Sequence, residues 1–355
     1  MTLTADQRRA RILEVVRAQG TVRVVDLAAE IGLAPVTVRR DVAALAEEGA
    51  LRRSHGAVSL PDTAPAVGPD GRSIVVGMLV PAVGLYFDEV IAGARAAADE
   101  VGARLVLGVS GYRPDNDRAQ VEQLIRSGAD GLLLTPTWTP ETGAADPGGT
   151  DWISELPLPT VLVERRAPIS SPLSRLDAVG SDHRQGVLTT LRHLAALGHE
   201  SVLLAARADS WTAHEVRAAY AEAAPLLGFT PHPVLGLDPV TRDLDAVATR
   251  LTEAVATGVH AVLVHNDQDA LQLAPLLRSR GLRIPEDLAV ISYDDVVAAL
   301  ADPPLTAVAP PKQAVGRAAM ELLLRRSAPP GKSLPVHHIE LLPDLMIRTS
   351  CGGQR

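Results

Sequence analysis

Two sets of residues in this chain of 355 could do chemistry, and they lie far apart in the sequence. The first is a run of arginines with polar and apolar neighbours: Val36, Thr37, Arg39, Arg40, Arg52, Arg53 and His55. Paired guanidinium groups near the start of an exposed helix suit the edges of guanine in the major groove, where a good bidentate contact discriminates by about 1–3 kcal/mol. Arginines and a histidine just beyond it suit phosphates. The second set is aromatic and charged. Of nine aromatic residues, Tyr86, Phe87, Tyr112, Trp138, Trp211 and Tyr293 follow or end short β-branched runs, as do Glu164-Arg165, Asp182, Asn266-Asp267 and Asp294-Asp295. Flat faces beside fixed hydrogen-bonding groups suit a polyhydroxylated or heterocyclic ligand. Metal-spaced His/Cys/Asp clusters, phosphate loops and nucleophile elbows are missing from the pattern. His183, His193 and His199 are expected on or beside a helix surface. No catalytic residue, metal or cofactor is expected.

The elements that must position the first set can be placed residue by residue. Ile12, Leu13, Val15 and Val16 form the apolar face of a first helix that ends near Gly20. A short second helix spans 24–31, with Leu27, Ala28 and Ile31 inward, and Gly32 supplies the positive φ that closes it. Pro35 opens a third helix, where its missing N–H costs nothing. Val38, Val42 and Leu45 recur at i, i+4 and i+7 and face the core. That turns Val36 and Arg40 outward, with Thr37 and Arg39 on the flanks. Leu51 to Val58 reads as a hairpin with Arg52, Arg53 and His55 near its tip.

Ser59 to Arg72 is rich in Pro, Gly and Asp and reads as a linker. From Ser73 the chain alternates β-branched runs with amphipathic helices, the pattern of parallel sheets covered by helices. Strands are predicted over 74–80, 104–109, 131–135, 160–163, 201–205, 261–264 and 288–292. Helices are predicted over 87–101, 116–127, 184–197, 213–227, 268–280 and 311–325. Ligands of such folds bind at the carboxyl ends of the strands, where the second set of residues falls. Thr139 to Thr150 reads as a loose loop.

Composition bounds the remaining choices. The chain is 46% apolar, which suits a folded protein of two or three domains. Its longest apolar run, Ile74 to Phe87, is broken by Pro81 and is too short to span a bilayer. The N-terminus lacks the layout of a secretory signal, and the single cysteine, Cys351, excludes a disulfide within one chain. A cytoplasmic location is expected. The net charge is −8, but residues 1–60 hold nine arginines against seven acids, so a head of +2 precedes a body of −10. A basic end on an acidic body fits a protein that touches DNA with one end only.

The head closely resembles the winged helix-turn-helix domain of the DeoR family, through Thr37-Val38-Arg39-Arg40-Asp41 in the recognition helix and Arg53-Ser54-His55-Gly56 in the wing. Ala34 stands where that family usually places a capping serine, a loss of about 1 kcal/mol. Asp41 is expected to partner an arginine rather than DNA. The body, over 73–351, resembles the sensor domain of the LacI/GalR family, itself similar to periplasmic sugar-binding proteins. The landmarks are VGMLVPAVGLYFDEVIAGARAAADEVG, PTVLVERR, AVLVHNDQDAL, GLRIPEDLAVISYDD and PPLTAVAPPKQAVGRAAMELLL.

This resemblance implies two α/β lobes that clasp an effector. Lobe 1 would hold 73–181 and 311–335, and lobe 2 would hold 182–310 and 336–355, behind a DNA-binding domain at 1–60 and a linker at 61–72. It places Tyr86, Phe87, Arg165, Asp182, Asn266 and Asp294 at ligand-binding positions, Asp294 as the anchor of ligand hydroxyls. The family's helix arginine falls on Val216, with Arg217 one step later, and a glutamine near Pro310 is missing. Trp138 and Trp211 are expected to supply what those positions lack.

The fold expected is therefore α/β, a winged helix-turn-helix followed by a two-lobed, periplasmic-binding-protein-like sensor with parallel sheets. The function expected is a ligand-responsive transcriptional regulator, acting as a homodimeric repressor on operator DNA with no membrane partner. Its effector would be a sugar or related metabolite, with a nucleoside as the alternative. A transport receptor would need a secretion signal, and a sugar-converting enzyme would need one of the missing motifs.

Overall fold

A computed structural model describes residues 5–19, 22–47, 51–54, 57–59, 73–138, 149–238, 243–327 and 334–353. The chain divides into two compact units, 1–66 and 67–355. The predicted linker 61–72, most of the loop at 139–150 and His55 lie outside the described residues.

The first unit contains α1 (Ala5–Gln19), β1 (Val22–Arg23), α2 (Val24–Glu30), α3 (Pro35–Glu47), β2 (Arg52–Ser54) and β3 (Ala57–Ser59). The periodic residues close one core in which Ile12, Val16, Leu27, Val38, Val42 and Leu45 are buried. Ile31 and Leu13 are only half-buried at its edge. Gly32 turns between α2 and α3 at φ +66°. Asp41 is buried and receives Arg8 Nε at 2.8 Å and Nη2 at 3.2 Å, which ties α1 to α3. The hairpin pairs Arg52 with Ser59, Arg53 with Val58 and Ser54 with Ala57. A third strand absent from the sequence prediction, β1, pairs Val22 with Val58, so the order is β1-β3-β2. Its two residues are too few to carry a period.

The second unit runs β4 (Val75–Val80), α4 (Tyr86–Glu100), β5 (Arg104–Val109), α5 (Pro114–Arg126), β6 (Gly131–Leu134), β7 (Thr160–Val163), β8 (Asp177–Ser181), α6 (His183–Ala196), β9 (Leu203–Ala206), α7 (Trp211–Leu226), β10 (Leu235–Gly236), α8 (Leu244–Ala256), β11 (Ala261–His265), α9 (Asp267–Ser279), β12 (Ala289–Tyr293), β13 (Thr306–Ala309), α10 (Lys312–Ser327), β14 (His338–Leu341) and β15 (Asp344–Met346). One parallel sheet has the order β14-β8-β7-β6-β4-β5. The other has the order β10-β9-β11-β12-β13-β15, parallel except for β15. Leu132, Leu133, Val161 and Leu162 are fully buried in the first, and Val262, Leu263, Val290 and Ile291 in the second. Such continuous apolar runs are what a sheet covered on both faces requires.

The chain crosses between sheets after β8, after β13 and after β14. The last crossover corrects the expected division. Residues 336–355 do not all join the second lobe, because His338–Leu341 pairs with Ala178–Ser181 and completes the first sheet before β15 returns to β13. No described helix is long and apolar enough to cross a membrane.

The first lobe depends on a close helix crossing. Helix α10 returns to the first lobe and meets α4 at two glycines. A Cβ on Gly93 would collide with the backbone carbonyl of Gln313, and one on Gly316 with that of Val90. A methyl group there must separate two backbones rather than rotate a side chain. Overpacking of this kind typically costs about 1–3 kcal/mol, more than the roughly 1 kcal/mol of helix propensity that alanine restores. Gly316→Ala and Gly93→Ala should each lower the midpoint of chemical denaturation. Unchanged midpoints in both would show that the helices do not need this approach.

Candidate functional site

The head presents a polar helix face. On α3, Val36 is 72% exposed and Arg39 and Arg40 are exposed, while Thr37 is half-buried between them and the core. The cause is the periodicity of Val38, Val42 and Leu45, which commits the opposite side of the helix to the interior. Without a side-chain cap, the helix starts on backbone bonds alone, with Ala34 O accepting from Thr37 N at 2.9 Å and Val38 N at 3.2 Å.

The second unit encloses a cavity of about 510 Å³ at the carboxyl ends of β4, β5, β7, β9, β11 and β12, as strand-end loops of doubly wound sheets allow. Of the predicted ligand residues, Tyr86, Phe87, Arg165, Trp211, Asn266 and Asp294 line it. Trp138, Asp182 and Arg217 do not. Trp138 is buried, with its ring 4.8 Å edge-on from that of Trp211. It supports the wall from behind, and its indole N–H has no partner. Asp182 caps α6, accepting from Gln185 N at 2.8 Å. Arg217 turns back to Ala206 O at 3.0 Å and Arg207 O at 3.3 Å, so it holds the end of β9. Asn266 both lines the cavity and caps α9 by accepting from Asp269 N at 3.2 Å.

The sequence reading missed His265, Arg207, Asp209, Val83 and Leu85, all of which line the cavity. His265 ends β11 and Arg207 directly follows β9, so the strand-end rule applied to every residue type would have found both. His183 also departs from expectation. It is buried rather than on a helix surface, with Nδ1 3.0 Å from Tyr293 Oη and Nε2 3.8 Å from Glu164 Oε2. Burial lowers its pKa. Tyr293 is fully buried and carries that bond rather than facing the cavity.

Glu164 organises the floor. Its carboxylate accepts from Tyr86 Oη at 2.7 Å, Ser181 N at 3.0 Å and Ser181 Oγ at 2.9 Å. Arg165, also buried, donates Nε to Pro136 O at 2.9 Å and Nη1 to Glu164 O at 2.8 Å. Asp267 accepts from the N–H groups of Val296, Val297 and Ala298 at 2.6, 2.7 and 3.2 Å. Arg207 and Asp209 form a two-point ion pair at 2.8 and 2.5 Å. Lys312 reaches from α10 to Asp294 O at 2.6 Å and lies 5.6 Å over the Tyr86 ring.

Four lining residues, Leu85, Tyr112, Glu164 and Asp294, hold positive φ (56°, 57°, 52° and 94°) without being glycine. Each such residue costs about 1–2 kcal/mol, and such outliers gather where function fixes geometry. Among the described residues no group of three or more His, Cys, Asp or Glu is placed to hold a metal.

The comparisons bear on both units. A DeoR-like helix-turn-helix domain matches residues 8–64, and a periplasmic binding protein-like domain matches residues 191–351. The chain is therefore a transcriptional regulator that joins a DeoR-like helix-turn-helix domain to a periplasmic binding protein-like domain. It is 26% identical over 316 residues to the arabinose metabolism transcriptional repressor of Geobacillus stearothermophilus, covering 84% of this chain and 83% of that one. An uncharacterised HTH-type transcriptional regulator in the aml 5′ region of Streptomyces limosus is 34% identical over 244 residues, 65% of each chain. Among solved structures, the transcriptional regulator CelR–cellobiose complex matches with a TM-score of 0.64 at 25% identity, covering 90% of this chain and 91% of that one.

Burial and the neighbouring Asp267 push the Asp294 carboxyl up to about 7. The folded state then holds a proton that the unfolded chain releases near pH 4. Stability contributed by this group is complete below pH 4, falls as the pH rises toward 7 and levels off above it. Asp294→Asn removes that dependence. The melting temperature of the variant relative to the parent should climb between pH 4 and pH 7 and then stay flat. A constant offset across that range would contradict it.

Proposed function

We propose that the protein is a homodimeric repressor that binds operator DNA through α3 and the β2–β3 hairpin and is controlled by a sugar or related polar metabolite in the cleft of its sensor. The observation that carries this reading is the pairing, in one chain, of an exposed arginine face on the second helix of a helix-turn-helix with a polar-floored cleft at strand ends. Val36, Thr37, Arg39 and Arg40 would meet base edges, and Arg52, Arg53 and His55 the phosphates. Tyr86, Phe87, Arg165, Trp211, Asn266 and Asp294 would contact the effector. Trp138, Asp182 and Arg217 would act from behind the wall, by packing and by fixing strand and helix ends.

The relatives support a sugar. One is named for arabinose metabolism, and another was solved with cellobiose. A dimer would read two half-sites related by a twofold axis. The protein acts in the cytoplasm and turns over no substrate. Ligand changes operator affinity only to the extent that it binds two sensor states unequally.

The test separates the two surfaces. Arg40→Ala should weaken binding to DNA from upstream of the protein's own gene by about tenfold or more in gel-shift titrations, with effector affinity by calorimetry unchanged. Asp294→Ala should do the reverse. Equal loss of both activities in both variants would refute the division of labour.

A further inference from the structure

Most charged groups around the cleft already have partners within the protein. Glu164 is filled by Tyr86 and Ser181, Asp267 by three backbone N–H groups, and Asp209 by Arg207. The Arg165 guanidinium is turned to the carbonyls of Pro136 and Glu164. Among the carboxyl, guanidinium and imidazole groups of the lining, two have no described partner. The Asp294 carboxyl makes no described hydrogen bond, since Lys312 takes only its backbone carbonyl. His265 is 3% exposed, and neither ring nitrogen has a partner. Burial holds His265 neutral, with its pKa lowered to about 3, so one nitrogen donates and the other accepts. Buried polar groups without partners are costly and rare in finished structures.

We infer that the cleft takes an uncharged or cationic polyhydroxylated ligand, which donates to Asp294 and bonds His265, and that it rejects phosphorylated and carboxylated ligands. The inference rests on reading the cleft as the effector site and adds the charge class of the effector. The lining holds four carboxyl groups, Glu164, Asp209, Asp267 and Asp294, against two guanidinium groups, Arg207, which is paired with Asp209, and Arg165, which bonds two carbonyls and has Glu164 and Asp117 near its charge. A phosphate would lose its water beside more acids than cations, with Arg165 the one lining guanidinium not held in an ion pair. Like charges at close range disfavour one another strongly where solvent is excluded. The N-terminus of α9 opens on the cleft and could otherwise suit an anion, but Asp267 and Asp269 occupy its first turn.

The direction of proton movement distinguishes the two ligand classes. Asp294 is faced by Asp267 from α9, Glu164 from the end of β7, Lys312 from α10, Tyr86 from α4 and Tyr112 from the end of β5, with Tyr293 beside it on β12. A ligand that donates to the carboxylate favours its charged form, so binding near pH 7 releases a proton. An anionic ligand would require proton uptake at the same group.

The experiment is calorimetry on the full chain at pH 7, in buffers of different ionisation enthalpy. The matched probes are arabinose and arabinose 5-phosphate; glucose, glucosamine, gluconate and glucose 6-phosphate; and cellobiose and cellobionate. At least one neutral or amino member should bind about tenfold or more tightly than its anionic counterpart, with proton release. Asp294→Asn should abolish that release, and His265→Phe should weaken binding by about tenfold while far-ultraviolet circular dichroism is unchanged. An anionic member that binds as tightly as its neutral counterpart, proton uptake, or no binding by any neutral or amino member overturns the inference, whether or not the variants fold. Gel shifts with the same probes keep the two readings apart. An anionic ligand that alters DNA binding defeats this inference and leaves the regulator reading standing. A neutral ligand that binds without altering DNA binding does the opposite.

Discussion

A buried carboxylate must be given donors or lose its charge, and the placement of Glu164 follows from that constraint. Its donors come from Tyr86 at the start of α4 and from Ser181 at the end of β8. One group therefore fixes the first loop of the cleft against the first crossover strand. His183, the next residue but one after Ser181, stands 3.8 Å from the same carboxylate and hydrogen-bonds Tyr293 at the end of β12. A continuous set of polar contacts thus runs from the floor of the first lobe, through the crossover, into the sheet of the second. Glu164 itself sits at φ 52°, and its side chain reaches Ser181 at the end of β8.

Much of this architecture was legible because parallel strands buried on both faces need apolar runs, and such runs announce themselves. The strands at 104–109 and 160–163 have their predicted bounds, and the others shift by a residue or two. What stayed hidden has particular causes. Strand β8, Asp-Ala-Val-Gly-Ser, opens on an acid and contains a glycine, so only two of its five residues look apolar. Strand β13 follows a proline-rich stretch that reads as loop. Helix α8 carries an evident signal, an Asp243 cap ahead of Leu244, Val247, Ala248 and Leu251, and the sequence reading overlooked it. Strand β14 was assigned to the wrong lobe because pairing with β8 is a long-range choice that no local pattern encodes.

The candidate site divides along the same line. Position at a strand end predicted which residues stand near the cleft. It did not predict which side chains are free to face it. Asp182 is used by the nearest helix N-terminus, Arg217 by the open carbonyls after β9, and Trp138 and Tyr293 by the core. Each satisfies a local need that a polar or aromatic residue at such a position meets as readily as it meets a ligand. His265 had the opposite fate, since a histidine among apolar neighbours at the end of a strand reads as core until its unpartnered nitrogens are seen.

Asp294 is where the cavity lining and a contact between lobes coincide. Its carboxyl faces the cavity from the second lobe, while its carbonyl is held by Lys312, which belongs to the helix crossing α4 in the first. The backbone between those two groups is in a conformation that only local constraint maintains. A ligand that bonds the carboxyl therefore acts on the residue that also carries a bond between lobes. The Trp138–Trp211 contact gives the opposite wall the same double role, one ring lining the cavity and the other buried in the first lobe. A ligand in the cavity and a movement of one lobe against the other would load the same residues, and only a ligand that binds two such states unequally could shift them.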